Sequence, residues 1–393
     1  MGFGIREQND ALFTNPAESP IPNPESRRMR RRDFLTAALA LPFFPQTSAA
    51  RFVAALPLGN PGGGRTAPLG RLLGNGLDAR QFNDLSTIDP ARPATLVTPT
   101  DRFYIRTAAP GDVSAARGFS RATGVDFAAL EKDSTRVGPW VLECAGNADP
   151  ANFGLLSAGS WEGVPVPAIL DRMPKPAPGA RVLVTGVDDP GPSVTSTPGA
   201  SWIFTRDELE RAIVATRLND APLPLHHGAP ARLIVPGWYG CACIKWVDRI
   251  AFVSADAAAT SQMQEFAERT HQHGTPALAR EYEPAAIDTA AIPIRVEQWL
   301  VNGRIEYRIV GIVWGGDTPT SALSIRFKAG TAWTKVDDCP LRASTLTWST
   351  WTHTWRPASP GRYQIVLRVD DPSIRTRRLD LFFYVREVQI DEI

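Results

Sequence analysis

A chain of 393 residues, 43% hydrophobic and 21% charged, has room for two domains that each bury a real core. Its formal net charge of +1 supplies no field for nucleic acid or an anionic membrane, and no run of roughly 18 apolar residues offers a conventional membrane span. Four cysteines are too few for a disulfide framework, and 35 prolines with 31 glycines favour strands and loops over long helices.

Residues 1–50 read as an export leader. The dense positive charge of Arg27-Arg28-Met29-Arg30-Arg31-Arg32 precedes a short apolar run from Phe34 to Phe44, and Ser48-Ala49-Ala50 offers small residues for cleavage. Within it, Arg31-Arg32-Asp33-Phe34-Leu35 resembles the twin-arginine signal, which implies a folded protein sent to the periplasm. Residues 51–95 are rich in Gly, Pro and Arg with little periodicity, as in a linker or a wrapping segment.

Residues 96–285 mix strands and helices. Val182 to Val187 reads as a buried strand. Thr205-Arg206-Asp207-Glu208 has capping-box spacing and predicts a helix with Leu209, Ile213 and Leu218 on its apolar face. Arg232 to Tyr239 reads as a strand stopped by Pro236-Gly237. Residues 255–290 are polar and Ala-rich, with Pro276 and Pro284, and read as a surface connection. From about 291 the period becomes 2: Ile294/Val296, Tyr307/Ile309, Leu323/Ile325/Phe327 and Ile365/Leu367/Val369 alternate with polar neighbours. Turn signals at Asn302-Gly303, Lys328-Ala329-Gly330 and Pro360-Gly361 separate them, so 291–393 reads as a β-sandwich. The aromatic run Trp348, Trp351 and Trp355 reads as strand-edge packing or a dimer interface.

The chemistry concentrates in a few motifs. Trp140-Val141-Leu142-Glu143-Cys144-Ala145-Gly146-Asn147 is a strand that delivers a thiol to a turn of small residues, where a large group can approach the backbone. Taken alone, Cys144 reads first as a buried structural cysteine at a strand end. Cys241-Ala242-Cys243 has no second pair at zinc-site spacing and reads as core packing or as thiols beside a cofactor. Four stretches together resemble the sulfite oxidase family: the Cys144-Ala145-Gly146-Asn147 run; Leu155 to Val164 with its Trp161-Glu162-Gly163-Val164; His227 to Gly240 followed by Ile244-Lys245-Trp246; and, more weakly, Arg102 to Arg106. The resemblance runs from about residue 95 to the C-terminus. It implies an α+β molybdopterin-binding domain over 96–285 and an all-β immunoglobulin-like sandwich over 291–393, the latter carrying a homodimer interface.

By that resemblance, Cys144 is the protein ligand of the molybdenum in a molybdopterin cofactor. Soft sulfur suits such a centre. His227, Arg232, Trp238, Tyr239 and Lys245 are expected at the pterin, with Arg232 as a planar fork for phosphate and Lys245 as a point charge. Arg106 is expected beside the metal. Two positions depart from the family pattern. Thr107-Ala108 stand where an Asn-His pair is usual, and Ala148-Asp149 stand where an arginine often helps to bind the substrate anion. Asp149 is therefore expected in the catalytic pocket as a charge that repels dianions. His271 is aligned with a tyrosine beside the metal and is expected to shuttle protons. The implied activity is oxygen-atom transfer to or from a small substrate such as sulfite, with electrons leaving to an external carrier such as a c-type cytochrome. Another sulfur or organic oxo substrate, or a non-catalytic exported binding protein, are the alternatives.

Overall fold

Antiparallel sheets carry almost all of the regular structure. The structure is a computed structural model that describes residues 50–61, 70–110, 112–114, 123–148, 153–188, 200–328 and 331–393, all within the unit 48–393. The expected twin-arginine leader lies outside the described residues. The α-helices described from end to end are short, Phe127–Leu130, Val166–Leu170 and Ser261–Glu265, and among the described residues no helix is long and apolar enough to cross a membrane. The described residues are mostly β.

The first strand, β1 (Arg51–Leu56), joins the C-terminal part described below. Strands β2 (Arg80–Gln81) and β3 (Ile105–Arg106) form a short ribbon. The main sheet is built from β4 (Thr135–Glu143), β5 (Leu156–Pro165), β8 (Ile213–Leu218) with its partner β9 (Ala221–Pro222), and β10 (Arg232–Ile234), in the order β10-β8-β5-β4. A second sheet pairs β6 (Arg181–Gly186) with β7 (Ser201–Phe204) and β11 (Val247–Val253).

The predicted helix after Thr205 does not form. The capping box itself is made, with Glu208 N–H donating to Thr205 Oγ1 at 3.2 Å and Thr205 N–H donating to Glu208 Oε2 at 2.7 Å. It closes only one 3-10 turn, Asp207–Leu209, before Ile213 enters strand β8. The β-branched pair Ile213-Val214 favours extended backbone, and β8 finds partners on both sides in β5 and β10, so sheet pairing overrides the local cap.

The C-terminal part has two four-stranded sheets. One runs β1-β12-β13-β16, from β12 (Ala290–Val301), β13 (Arg304–Trp314) and β16 (Ser349–Trp355). The other runs β15-β14-β17-β18, from β14 (Leu323–Arg326), β15 (Thr334–Lys335), β17 (Gly361–Val369) and β18 (Arg386–Ile390). The segment expected as a linker or wrap therefore begins with an edge strand of this part. Asn302 and Gly303 both have positive φ (53° and 76°) and turn β12 into β13 as a two-residue hairpin, as the dipeptide predicts. The period-2 positions Val296, Ile309, Leu323, Ile325 and Ile365 fill the shared core with Trp348, Trp351 and Trp355. The tryptophans are thus core side chains: Trp351 is fully buried, and Trp355 stacks on Phe327 at 4.1 Å.

Strand β4 stands between the two cores. Leu142 and Cys144 belong to the core of the first part, whereas Val141 belongs to the core of the C-terminal part. Strand alternation makes this division, because successive side chains leave a strand on opposite faces. It sends Cys144 one way and its neighbour Glu143 the other.

Candidate active site

Cys144 opens onto a cavity of about 450 Å³ whose wall also includes Arg106, His227, Arg232, Lys245 and Arg269. The thiol leaves the end of β4 at a turn closed by Asn147 N–H donating to the Cys144 carbonyl at 2.9 Å. Gly146 N–H points at Sγ from 3.3 Å. Burial raises the Cys144 pKa, while that N–H and the nearby Arg106 and Arg269 favour the thiolate. The opposite wall is the turn after β10. There Gly240 is required, since a Cβ would meet the Tyr104 hydroxyl at 2.7 Å. Gly228, at φ 115°, ends the His227 turn against the Lys245 backbone in a conformation open to glycine.

Several cations converge here with incomplete pairing. Arg232 is buried; one of its nitrogens donates to the His227 carbonyl at 3.0 Å, and its Nε has no partner. Arg106 Nη1 is likewise buried without a partner, and its Nη2 stands 4.0 Å from the exposed Asp78 carboxylate. Buried donors are nearly always satisfied in proteins, so two guanidinium groups on the wall of one cavity, each with an unpaired nitrogen, mark a place for an acceptor-rich ligand. Burial, then Arg232 and Lys245, lower the His227 pKa to about 3, so its ring is neutral and presents one donor and one acceptor.

Lys245 lines the cavity, but its ammonium donates to three backbone carbonyls, those of Arg106, Thr107 and His226, at 2.9, 2.8 and 3.1 Å. It ties the end of β3 to the His227 turn. Thr107 beside it has a positive φ of 70°, which costs a β-branched residue energy and is held by this clamp.

Three expected residues lie elsewhere. Trp238 packs on Phe204 at 5.6 Å, and Tyr239 sends its hydroxyl to Arg377 in the C-terminal part; the positive φ of Gly237 turns both away, and Gly240 and Cys241 face the cavity instead. His271 is held outside the cavity, Nδ1 3.2 Å from Asp288 and Nε2 2.9 Å from the Ala286 carbonyl, with both nitrogens engaged. Asp149 lies outside the described residues. Cys241 and Cys243 are free thiols in a turn, not on a strand, and both line the cavity.

The segment expected as a surface connection supplies a wall of the site. Met263 and Ala267 anchor it in the first core, and Gln262, Glu265, Phe266 and Arg269 face the cavity. Arg269 carries no carboxylate partner among the described residues, and its guanidinium lies beside the Cys144 turn, 3.7 Å from where a Gly146 Cβ would stand. Sequence reasoning missed it because a lone arginine in a polar loop has no periodicity or spacing to mark it.

Residues 119–261 match the family model described as oxidoreductase molybdopterin binding domain. The match brings with it molybdopterin as the implied cofactor, and the similar proteins are oxidoreductases by name. The NADPH nitrate reductase of Beauveria bassiana is 36% identical over 130 residues, 30% of this chain and 14% of that protein. The mitochondrial sulfite oxidase of Drosophila melanogaster is 34% identical over 116 residues, 28% and 19% respectively. That of Mus musculus is 26% identical over 212 residues, 49% and 37%. The chain thus spans well under half the length of these relatives. The fold is similar to that of the sulfane dehydrogenase SoxCD from Paracoccus pantotrophus, with a TM-score of 0.53 at 16% identity over 84% of this chain and 91% of that one. The residues around the cavity suit that cofactor: the Cys144 thiol, the Arg106 and Arg232 guanidinium groups, each with an unpaired nitrogen, and the neutral His227 imidazole share its wall.

Proposed function

We propose that the protein is an exported molybdenum oxidoreductase of sulfite oxidase type, with Cys144 as the protein ligand of the metal. The observation that carries this reading is the placement of the Cys144 thiol and the Arg106 guanidinium on one cavity, with a buried nitrogen of Arg106 left unpaired. When bound, the cofactor supplies two-electron oxygen-atom transfer between water and a small substrate. Cys144 would hold the metal as a deprotonated, soft sulfur donor. Arg232 and His227, both on the cavity wall, would hold the acceptor-rich pterin and its phosphate. Lys245 keeps the end of β3 in place, and Arg106 and Arg269 present positive charge on the side from which an anion approaches.

The substrate class is a small oxyanion such as sulfite. Electrons leave to an external carrier such as a c-type cytochrome, the site of action is the periplasm, and the C-terminal sheets form an immunoglobulin-like sandwich that carries a homodimer. A different sulfur or organic oxo substrate is the second reading, favoured by the Asp78 carboxylate on the same wall, which disfavours a dianion. Full-length protein from cells that make molybdopterin is assayed for molybdenum and for sulfite oxidation with ferricyanide or cytochrome c as acceptor. Stoichiometric metal with sulfite turnover supports the proposal. Metal without sulfite turnover points to the second reading, and absence of metal removes both.

A further inference from the structure

We infer that Arg377, in the C-terminal part, is a positioning residue for the Cys144 thiol and acts on it through Glu143 and Asn147. The inference rests on the reading of Cys144 as the metal ligand. Glu143 is fully buried and adjacent in sequence to Cys144, yet it faces the other core. Each of its carboxylate oxygens takes two hydrogen bonds. Oε1 accepts from Arg377 Nη1 at 2.9 Å and from Asn147 Nδ2 at 3.2 Å; Oε2 accepts from Arg377 Nη2 at 3.0 Å and from Trp314 Nε1 at 2.8 Å.

The knot reaches both walls that flank the thiol. On one side Asn147, which closes the Cys144 turn, bridges Glu143 Oε1 to the Leu155 N–H, so the turn is pinned at each end. On the other side Arg377 Nη2 donates to the Tyr239 hydroxyl, and the Gly240 N–H next to it donates to the Glu143 carbonyl at 2.7 Å. Arg377 Nη1 also donates to Tyr384 at 2.6 Å. The arginine is itself fixed, since its N–H donates to the Thr289 carbonyl at 3.0 Å just ahead of β12. A planar fork with its donors in fixed directions can hold all of these acceptors at once, and a lysine ammonium cannot. Ligand orientation by such outer partners is what tunes a metal site.

A knot that only joins the two cores would, when cut, loosen the whole interface equally. A positioning role moves Cys144 first. Arg377→Gln and Arg377→Lys are made in the full chain, with and without molybdopterin in the host. In cofactor-free protein, alkylation by iodoacetamide is mapped by mass spectrometry at Cys144, with Cys339 as the internal reference. In loaded protein, the Mo(V) electron paramagnetic resonance spectrum is recorded. The expected result is Cys144 alkylation faster by on the order of tenfold with Cys339 unchanged, and shifted g-values that Lys does not restore. Wild-type spectra and alkylation in Arg377→Lys overturn the inference, and so does equal acceleration at Cys144 and Cys339. Should both variants fail to fold, Asn147→Ala cuts the link to the turn while leaving the ion pair, and unchanged readouts there overturn it too. A wild-type chain that binds no molybdenum refutes the ligand reading by itself, while the alkylation arm still decides the positioning role.

Discussion

Two faces of one strand end differ in how their polar groups are paired. On the cavity face, Arg106 and Arg232 each leave a buried nitrogen without a partner, and Arg269 has no counter-ion among the described residues. On the opposite face, both carboxylate oxygens of Glu143 and both terminal nitrogens of Arg377 are fully engaged. Similar chemical groups are thus left open where a ligand is to be bound and closed where only the protein is to be held. Unpaired buried donors destabilise a fold by about 1–3 kcal/mol each, so the open face is a cost that a bound cofactor relieves. The closed face gives that open face a rigid backing.

The comparison predicts a ranking of effects. Cys144→Ser on the open face is expected to abolish turnover while leaving the thermal unfolding of the cofactor-free chain within about 1 kcal/mol of wild type, since the thiol and hydroxyl differ little in volume. A large loss of stability in that variant would show that Cys144 is mainly a core residue. Arg377→Gln on the closed face is expected to lower unfolding stability by about 3–5 kcal/mol, because it strands the buried Glu143 charge. Chemical denaturation of the cofactor-free chain measures this, and a change below 1 kcal/mol would deny that the closed face is the structural one.

A pH effect separates the faces further. His227 refuses a proton in the native state until about pH 3, whereas in the unfolded chain it takes one near its ordinary 6.5. The unfolded state then binds more protons in that window, so stability is full above the upper value and falls as pH falls through it. Between pH 7 and 4 the wild type is expected to lose about 3 kcal/mol more than His227→Gln. Parallel pH curves for the two proteins would contradict the buried, neutral assignment. The smallest effect belongs to the exposed Arg269. Arg269→Gln is expected to raise the Michaelis constant for an anionic substrate about fivefold, roughly 1 kcal/mol at a solvated charge, with the difference shrinking at high salt.

Much of the open face is legible in the sequence. The apolar run ending at Cys144, the His227 and Arg232 spacing, and Lys245 after the next turn all reach one cavity because each sits within a few residues of a strand or turn that local pattern identifies. The closed face is not legible. Glu143 and Arg377 are 234 residues apart, and nothing in either neighbourhood names the other. Tyr239 and His271 show the same limit from the other side: they lie close in sequence to cavity residues, yet long-range partners, Arg377 and Asp288, draw them away. The failed helix after Thr205 has a related cause, since a correct local cap is outweighed by pairing with strands whose presence it does not encode.

The identity of the open face rests on the sulfur that it offers to the metal. X-ray absorption at the molybdenum edge, on loaded wild type and loaded Cys144→Ser, counts that sulfur directly. The account predicts one fewer Mo–S contact in the variant with the pterin sulfurs retained. An unchanged sulfur count would contradict it and return Cys144 to the core.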